Sequence, residues 1–231
     1  MGSTIHKKYQ ELVSYILEFF IRLYDKDTWL HVKRIKLYSK EVALELECPS
    51  SLVSEISLVS SLHDLGKVFI SKKILNKNGK LTKEEFNQMK KHSLYGRKIL
   101  LYLGFGKVAK NIALYHHEHF DGNGYPKGLK SDSIPIEARI VALVDVYDAL
   151  RQKRCYKKSF SHEEASEIIK SQEGKQFERI VVKAFLKNNR KFNEIFEKMS
   201  IEEEKKFNRL KIIEKIKVAV KWSYQKVIWS C

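Results

Sequence analysis

The sequence predicts an all-α protein, and three observations carry that reading. Only 3 Pro and 10 Gly punctuate 231 residues. Apolar side chains recur at helical spacing in a background of Lys, Leu, Ile and Glu, residues that favour helix. Ser/Thr-x-x-Glu capping boxes stand at Thr82/Glu85, Ser161/Glu164 and Ser200/Glu203, each able to satisfy two of the N–H groups that a helix start leaves open. The length allows one domain with a sizeable core plus short extensions.

The elements follow in order. Residues 5–24 carry Ile5, Tyr9, Leu12, Ile16 and Leu23 on one stripe. A second helix spans 28–47, with Leu30, Ile35, Tyr38, Val42, Ala43 and Leu46 apolar, and Cys48-Pro49-Ser50 ends it. Residues 51–65 are apolar enough for a buried helix stopped at Gly66, and 70–81 read as a loop turning at Asn78-Gly79. The first capping box opens a helix to about residue 103, which Gly104 and Gly106 end. A helix over 107–119 runs into a loop over 120–133, and Pro135 suits the first turn of a helix over 135–151. The last helix, about 201–229, is basic and amphipathic, with Phe207, Leu210, Ile213, Ile216, Val220, Tyr224 and Val227 at helical spacing. It suits packing on the domain or on a second subunit, and its lysines also suit contact with a membrane surface.

Composition bounds the function. No apolar run is long enough to cross a bilayer, and the polar N-terminus does not read as a signal peptide. Cys48, Cys155 and Cys231 are scattered, which fits neither a disulfide framework nor a zinc ribbon, so a reducing cytoplasm is the expected setting. The net charge of +16 reads either as a solvated Lys-rich surface or as attraction to a polyanion, a nucleotide or an anionic membrane.

The chemistry is concentrated in residues 116–126, where His116, His117, Glu118 and His119 precede Asp121, a Gly122-Asn123-Gly124 turn and Tyr125-Pro126. Further ligand types stand at helix interiors or ends: His31, His63-Asp64, His92 and Asp145. Asp145 and Asp148 interrupt the otherwise apolar stretch 140–150, where a carboxylate requires a counter-charge and a metal is the simplest one. Any one of these residues alone is more simply a core or surface side chain; the set is what points to a metal cluster. Five imidazoles and two carboxylates, without thiolates, suit iron or manganese better than structural zinc. Asp27 shares a face with His31 if their helix starts early enough. His6 and His162 are expected at the surface, and His119 is expected to be a bystander. Asp121 either orients a ligand imidazole or caps the turn.

These residues closely resemble the HD-GYP family, a branch of the HD metal-dependent phosphohydrolases. The general pattern is met by His31, His63-Asp64 and Asp145, and the branch-specific run is met completely by residues 116–126. The likeness extends through Leu65-Gly66-Lys67, Lys80-Leu81-Thr82, Lys91-His92, Ile134-Pro135, Ala138-Arg139-Ile140 and Tyr147-Asp148-Ala149-Leu150. It covers roughly 28–190, leaving an N-terminal helix in 1–27 and a helical extension over 191–231.

The resemblance implies an HD-domain-type helical bundle with a GYP loop. It implies two or three divalent metal ions, iron or manganese, and hydrolysis of cyclic di-GMP to pGpG or on to GMP. Carried over by position, one metal takes His31, His63, Asp64 and Asp145, and a second takes Asp64, His92, His116 and His117. Asp27, shorter by one methylene than the family's glutamate, stands at the third-metal position. Asp64 and Lys67 are the expected catalytic residues, and Lys67, Tyr125, Asp148, Arg154 and Lys157 the expected substrate contacts. Cys155 replaces the family's proline between the two cations Arg154 and Lys157. Rival readings are a non-catalytic cyclic di-GMP sensor or adaptor, a hydrolase of another cyclic dinucleotide, and a nucleic-acid binder resting on charge alone. A homodimer or a cyclase-type protein partner would engage the terminal helices.

Overall fold

The computed structural model describes residues 8–18, 26–152 and 159–201, with 26–28 described for their backbone alone. The chain forms two compact units, Met1–Asn189 and Arg190–Cys231. In the first, the helices are α1 (8–18), α2 (Lys26–Glu45), α3 (Ser50–Val59), α4 (Lys72–Leu75), α5 (Lys83–Tyr102), α6 (Lys107–Tyr115), α7 (Ile136–Arg151), α8 (His162–Ser171) and α9 (Arg179–Lys187). In the second, residues 190–201 are helical. The described residues form no strand beyond one isolated bridge, Glu173 to Phe177, and contain no helix long and apolar enough to cross a membrane.

Local chemistry sets the boundaries. Thr82 and Ser161 each accept from the backbone N–H three residues on, and Glu85 and Glu164 accept from the cap N–H in return, so both boxes form at the expected places. Gly104, at φ +73°, closes α5, and Gly106 is the N-cap of α6. Pro135 sits one position earlier than expected, as the N-cap of α7.

The core lies between α2, α3, α6 and α7. Ile35, Tyr38 and Val42 share the buried face of α2, and Ile112 and Ala113 are buried in α6, which packs on α3, α5 and α7. Helix α7 is buried nearly all round through Ala138, Ile140, Val141, Leu143, Val144 and Tyr147. A helix covered on nearly every side belongs at the centre of a domain, and each large aliphatic or aromatic side chain taken from water contributes about 1.5–3 kcal/mol.

Some expectations do not hold. The apolar run 51–65 is not one helix: α3 stops at Val59, a 3-10 turn covers Ser60–Leu62, and a second 3-10 segment runs Leu65–Phe69. The break lets the second segment turn onto α5 at Gly66, where a Cβ would stand 1.9 Å from the His92 carbonyl oxygen and 2.4 Å from the Gly96 nitrogen. The loop 70–81 contains the short helix α4, capped by Ser71. Helix α6 ends at Tyr115, leaving His117 and His119 in the turns that follow. Ser200 is no helix start: it lies inside the helix 190–201, its hydroxyl donating to the Phe196 carbonyl at 2.8 Å. Its partner Glu203, and the basic helix expected over 201–229 apart from residue 201, lie outside the described residues.

Candidate metal centre

The expected ligands come from five separate pieces of backbone. His31 projects from α2 and Asp145 from α7, the two helices that pack across the core. His63-Asp64 fills the turn between the two 3-10 segments. His92 sits in α5, His116 is the C-cap of α6, and His117 follows it. The close seating of Gly66 on α5 brings the turn with Asp64 against His92.

The ligand atoms of Asp64, His92, His116 and His117 lie within 4.8 Å of one another, as do those of His31, His63 and Asp145. Asp64 faces both groups. Its Oδ1 is 3.3 Å from Nε2 of His92 and 3.7 Å from Nε2 of His116, while its Oδ2 is 3.4 Å from Nε2 of His63. Asp145 Oδ1 is 3.4 Å from Nε2 of His31 and 3.7 Å from Nε2 of His63.

The imidazoles are aimed by their other nitrogens. Nδ1 of His63, His92 and His116 lies 2.8, 2.7 and 2.9 Å from the carbonyls of Ser60, Met89 and Ile112. A carbonyl only accepts, so Nδ1 carries the proton and Nε2 is turned inward as a lone-pair donor. His31 does the same through Asp148, whose Oδ2 is 2.8 Å from its Nδ1.

The electrostatics follow from burial and crowding. Burial would raise the Asp64 carboxyl, but Lys67, His63 and His116 outweigh it and hold the group ionised, well below its ordinary range. Burial depresses His92 to about 4, and burial together with His116 holds His117 well below the usual imidazole value. For His63, burial is outweighed by Asp64 and Asp145, which lift it to about 9. Nε2 of His63 and Oδ1 of Asp64 are buried polar atoms without a hydrogen-bond partner. Standing among converging donors, these two atoms are ones that a bound ion would satisfy. Converging nitrogen and oxygen donors with no thiolate fit borderline divalent transition metals.

Around the centre, Lys67 Nζ donates to Asp64 Oδ2. The Tyr125 ring stacks on His117 with centroids 4.7 Å apart, and burial with Asp64 and Asp145 nearby raises its phenol above the ordinary value. Glycine is required at position 124, where a Cβ would come within 2.2 Å of the His119 nitrogen and 2.5 Å of the His117 oxygen. The side chain of Asp27 and all of Arg154, Cys155 and Lys157 lie outside the described residues.

Two assignments change, and one open alternative is decided. Asp148 is not a substrate contact: it is fully buried, and it accepts from His31, from Arg34 at 2.6 and 3.0 Å and from Gln152 at 2.7 Å, so it stands behind His31. His162 is not a surface residue: it is buried with Nδ1 2.8 Å from the Tyr147 hydroxyl, because the capped start of α8 is pressed onto α7. Asp121 caps its own turn, accepting from the backbone and the side chain of Asn123, and is not aimed at a ligand.

Sequence reasoning missed two supports. Arg34 is the cation that neutralises Asp148, and its signal was present: His31/Arg34 and Asp145/Asp148 are both i, i+3 pairs, on two helices that pack together. Glu118, 2% exposed, accepts from the backbone N–H of Lys127 at 2.7 Å and of Leu129 at 3.0 Å, which fixes the loop carrying Tyr125. A carboxylate following two ligand histidines reads as another ligand, which concealed that role.

The chain resembles known proteins in sequence and in fold. A family model described as HD domain matches residues 16–181. A cyclic di-GMP phosphodiesterase of Thermotoga maritima is 38% identical over 196 residues, covering 83% of this chain and 53% of its own length. The 3'3'-cGAMP-specific phosphodiesterase 2 of Vibrio cholerae is 41% identical over 181 residues, covering 78% of this chain and 34% of its own length. The chain thus spans a third to about half of these relatives. Among solved structures, Bd1817, an HDG"Y"P protein from Bdellovibrio bacteriovorus, matches the fold with a TM-score of 0.55 at 21% identity, over 72% of this chain and 51% of that one. With a match over most of its length and an uninterrupted His-His-Glu-x-x-Asp-Gly-x-Gly-Tyr-Pro run, the chain belongs to the HD domain family, in its HD-GYP branch.

Proposed function

We propose that this chain is a metal-dependent phosphodiesterase that hydrolyses cyclic di-GMP to pGpG, GMP or both. The observation that carries the proposal is Asp64, which presents one oxygen to His92 and His116 and the other to His63. His31, His63, Asp64 and Asp145 would hold one divalent ion, iron or manganese, and Asp64, His92, His116 and His117 another. Two cations so held supply Lewis acidity toward a phosphoryl group and a lowered pKa for water.

The chain's own residues do the rest. Nδ1–H bonds to Ser60, Met89 and Ile112 fix the orientation of the imidazoles and turn Nε2 toward the centre. Lys67, partly exposed beside Asp64, carries positive charge at the position where negative charge grows on the phosphoryl oxygens. Tyr125 closes one side of the site with a flat aromatic face. Arg154 and Lys157, one able to grip a phosphate in bidentate fashion and the other a point charge, are the proposed further phosphate contacts.

A second reading, cleavage of 3'3'-cGAMP, draws support from the relative at 41% identity. The test is anaerobic purification, metal analysis, and chromatography of products formed from cyclic di-GMP and from 3'3'-cGAMP in parallel. Linear guanine products with metal bound are expected. Preferential cleavage of 3'3'-cGAMP would move the substrate assignment, and tight binding of cyclic di-GMP by metal-loaded protein without turnover would make the chain a sensor.

A further inference from the structure

We infer that Phe86, Lys90 and Tyr125 form a platform for a guanine base, on the side of the centre built from His92, His116 and His117. Phe86 is 43% exposed on α5, and its ring meets the Tyr125 ring edge to face with centroids 6.1 Å apart. Tyr125 is itself stacked on His117. Lys90, one turn beyond Phe86, sets its Nζ 4.7 Å from the Phe86 ring centroid and 5.5 Å from that of Tyr125. A large aromatic ring left open to solvent, joined through a second ring to a ligand imidazole, is placed to meet whatever lies against the metals. Cation–π attraction holds the ammonium at the corner of the two rings.

Each feature suits a purine. A base stacks on an aromatic face with an energy of about 1–3 kcal/mol and little regard for identity. Identity comes from the cation: guanine shows two acceptors, O6 and N7, where adenine shows one acceptor and an amino donor. The platform therefore favours guanine, and Lys90 supplies the preference. The inference rests on the proposed nucleotide chemistry of the site, and its test is separable from turnover.

The test uses the metal-loaded protein and equilibrium binding of GMP and AMP by calorimetry. Phe86→Ala should weaken both nucleotides about 10-fold, and Phe86→Trp should restore them. Lys90→Gln should lower the affinity for GMP and narrow its margin over AMP. Metal content should match the wild type in all three variants. GMP affinity unaltered in Phe86→Ala, or loss of metal from that variant, would overturn the platform and leave Phe86 a brace of the loop. Wild-type protein that binds GMP in this way but leaves cyclic di-GMP intact would remove the proposed reaction and keep the platform. Failure to bind either nucleotide would remove the platform.

Discussion

Nε of Arg34 lies 2.6 Å from Oδ1 of Asp148, deep between α2 and α7, and the other carboxylate oxygen faces Nδ1 of His31. The buried pair orients a candidate metal ligand from behind. Removing the carboxylate leaves a guanidinium that is 3% exposed without its main counter-charge. Asp148→Ala should therefore lose about 3–5 kcal/mol of stability, read from urea unfolding. Asp148→Asn keeps the shape but not the charge, and should weaken metal retention about 10- to 100-fold. Wild-type metal content in Asp148→Asn would mean that His31 needs no such support.

The same carboxylate sets an acid limit. Burial would raise Asp148, but the bonds from His31 and Arg34 hold its folded-state pKa below the ordinary value. In the unfolded chain it titrates near the ordinary Asp value of about 3.9. The unfolded state thus binds more protons in the window below about 4, and stability falls as pH falls through the folded-state pKa. The contribution is complete above that window. Unfolding midpoints followed from pH 6 down to pH 3 should drop more steeply below about 4 in the wild type than in Asp148→Asn. Parallel curves would assign the acid loss to other groups.

Asp64 is the residue the two ligand groups have in common. Asp64→Ala should strip metal from both groups and abolish phosphodiester hydrolysis, because each loses an oxygen donor together. His92→Ala removes a donor from one group only, so it should retain part of the metal. Metal analysis of the two variants side by side decides the matter: equal retention would make Asp64 a ligand of one site.

How far the sequence revealed this arrangement depended on whether a local signal existed. The boxes at Thr82/Glu85 and Ser161/Glu164 are local devices, and both helix starts were legible. So was the burial of α7, whose stretch 140–150 is apolar apart from Asp145, Tyr147 and Asp148. The break of α3 at Val59 was not legible, because the apolar run continues without a Gly or Pro and only the seating of Gly66 on α5 requires the turn. The ligand types and their spacing pointed to a cluster. The division between ligands and supports did not follow from them: Asp145 and Asp148 look alike in sequence, and they part only when Arg34 and His31 arrive from another helix. His162 misled for the same reason, since a residue just inside a capped helix is usually wet, and the Tyr147 that buries it lies on a neighbouring helix.

Gly66 tests the seating directly. A Cβ there would meet backbone on α5, at 1.9 Å from an oxygen and 2.4 Å from a nitrogen, and backbone cannot swing aside as a side chain can. Gly66→Ala should cost about 3 kcal/mol or more. It should also release metal at temperatures where the chain is still folded, because the shift moves His63-Asp64 away from His92. Calorimetry together with metal content checks both. A variant that unfolds normally and keeps its metal would show that the two segments are not in register as described.

Glu118 is the last link between the centre and its loop. Its carboxylate accepts the N–H groups of Lys127 and Leu129, which follow Tyr125-Pro126 in the loop. Truncation leaves two partly buried N–H groups unpaired, at about 1–3 kcal/mol each. The metal ligands are anchored outside the segment that carries Lys127 and Leu129, on α2, α5 and α7, at the C-terminal end of α6 and in the turn between the 3-10 segments, and keep their places. Glu118→Ala should therefore bind metal at near wild-type stoichiometry while its KM for the nucleotide rises by about 10-fold or more, because the loop beyond Tyr125 loses two of its anchors, leaving the Tyr125 N–H bond to the His117 carbonyl to tie the ring in place. Glu118→Gln retains one acceptor oxygen and should fall between the two. A variant with wild-type KM, or one that fails by losing metal, would show that Glu118 does not act through the loop.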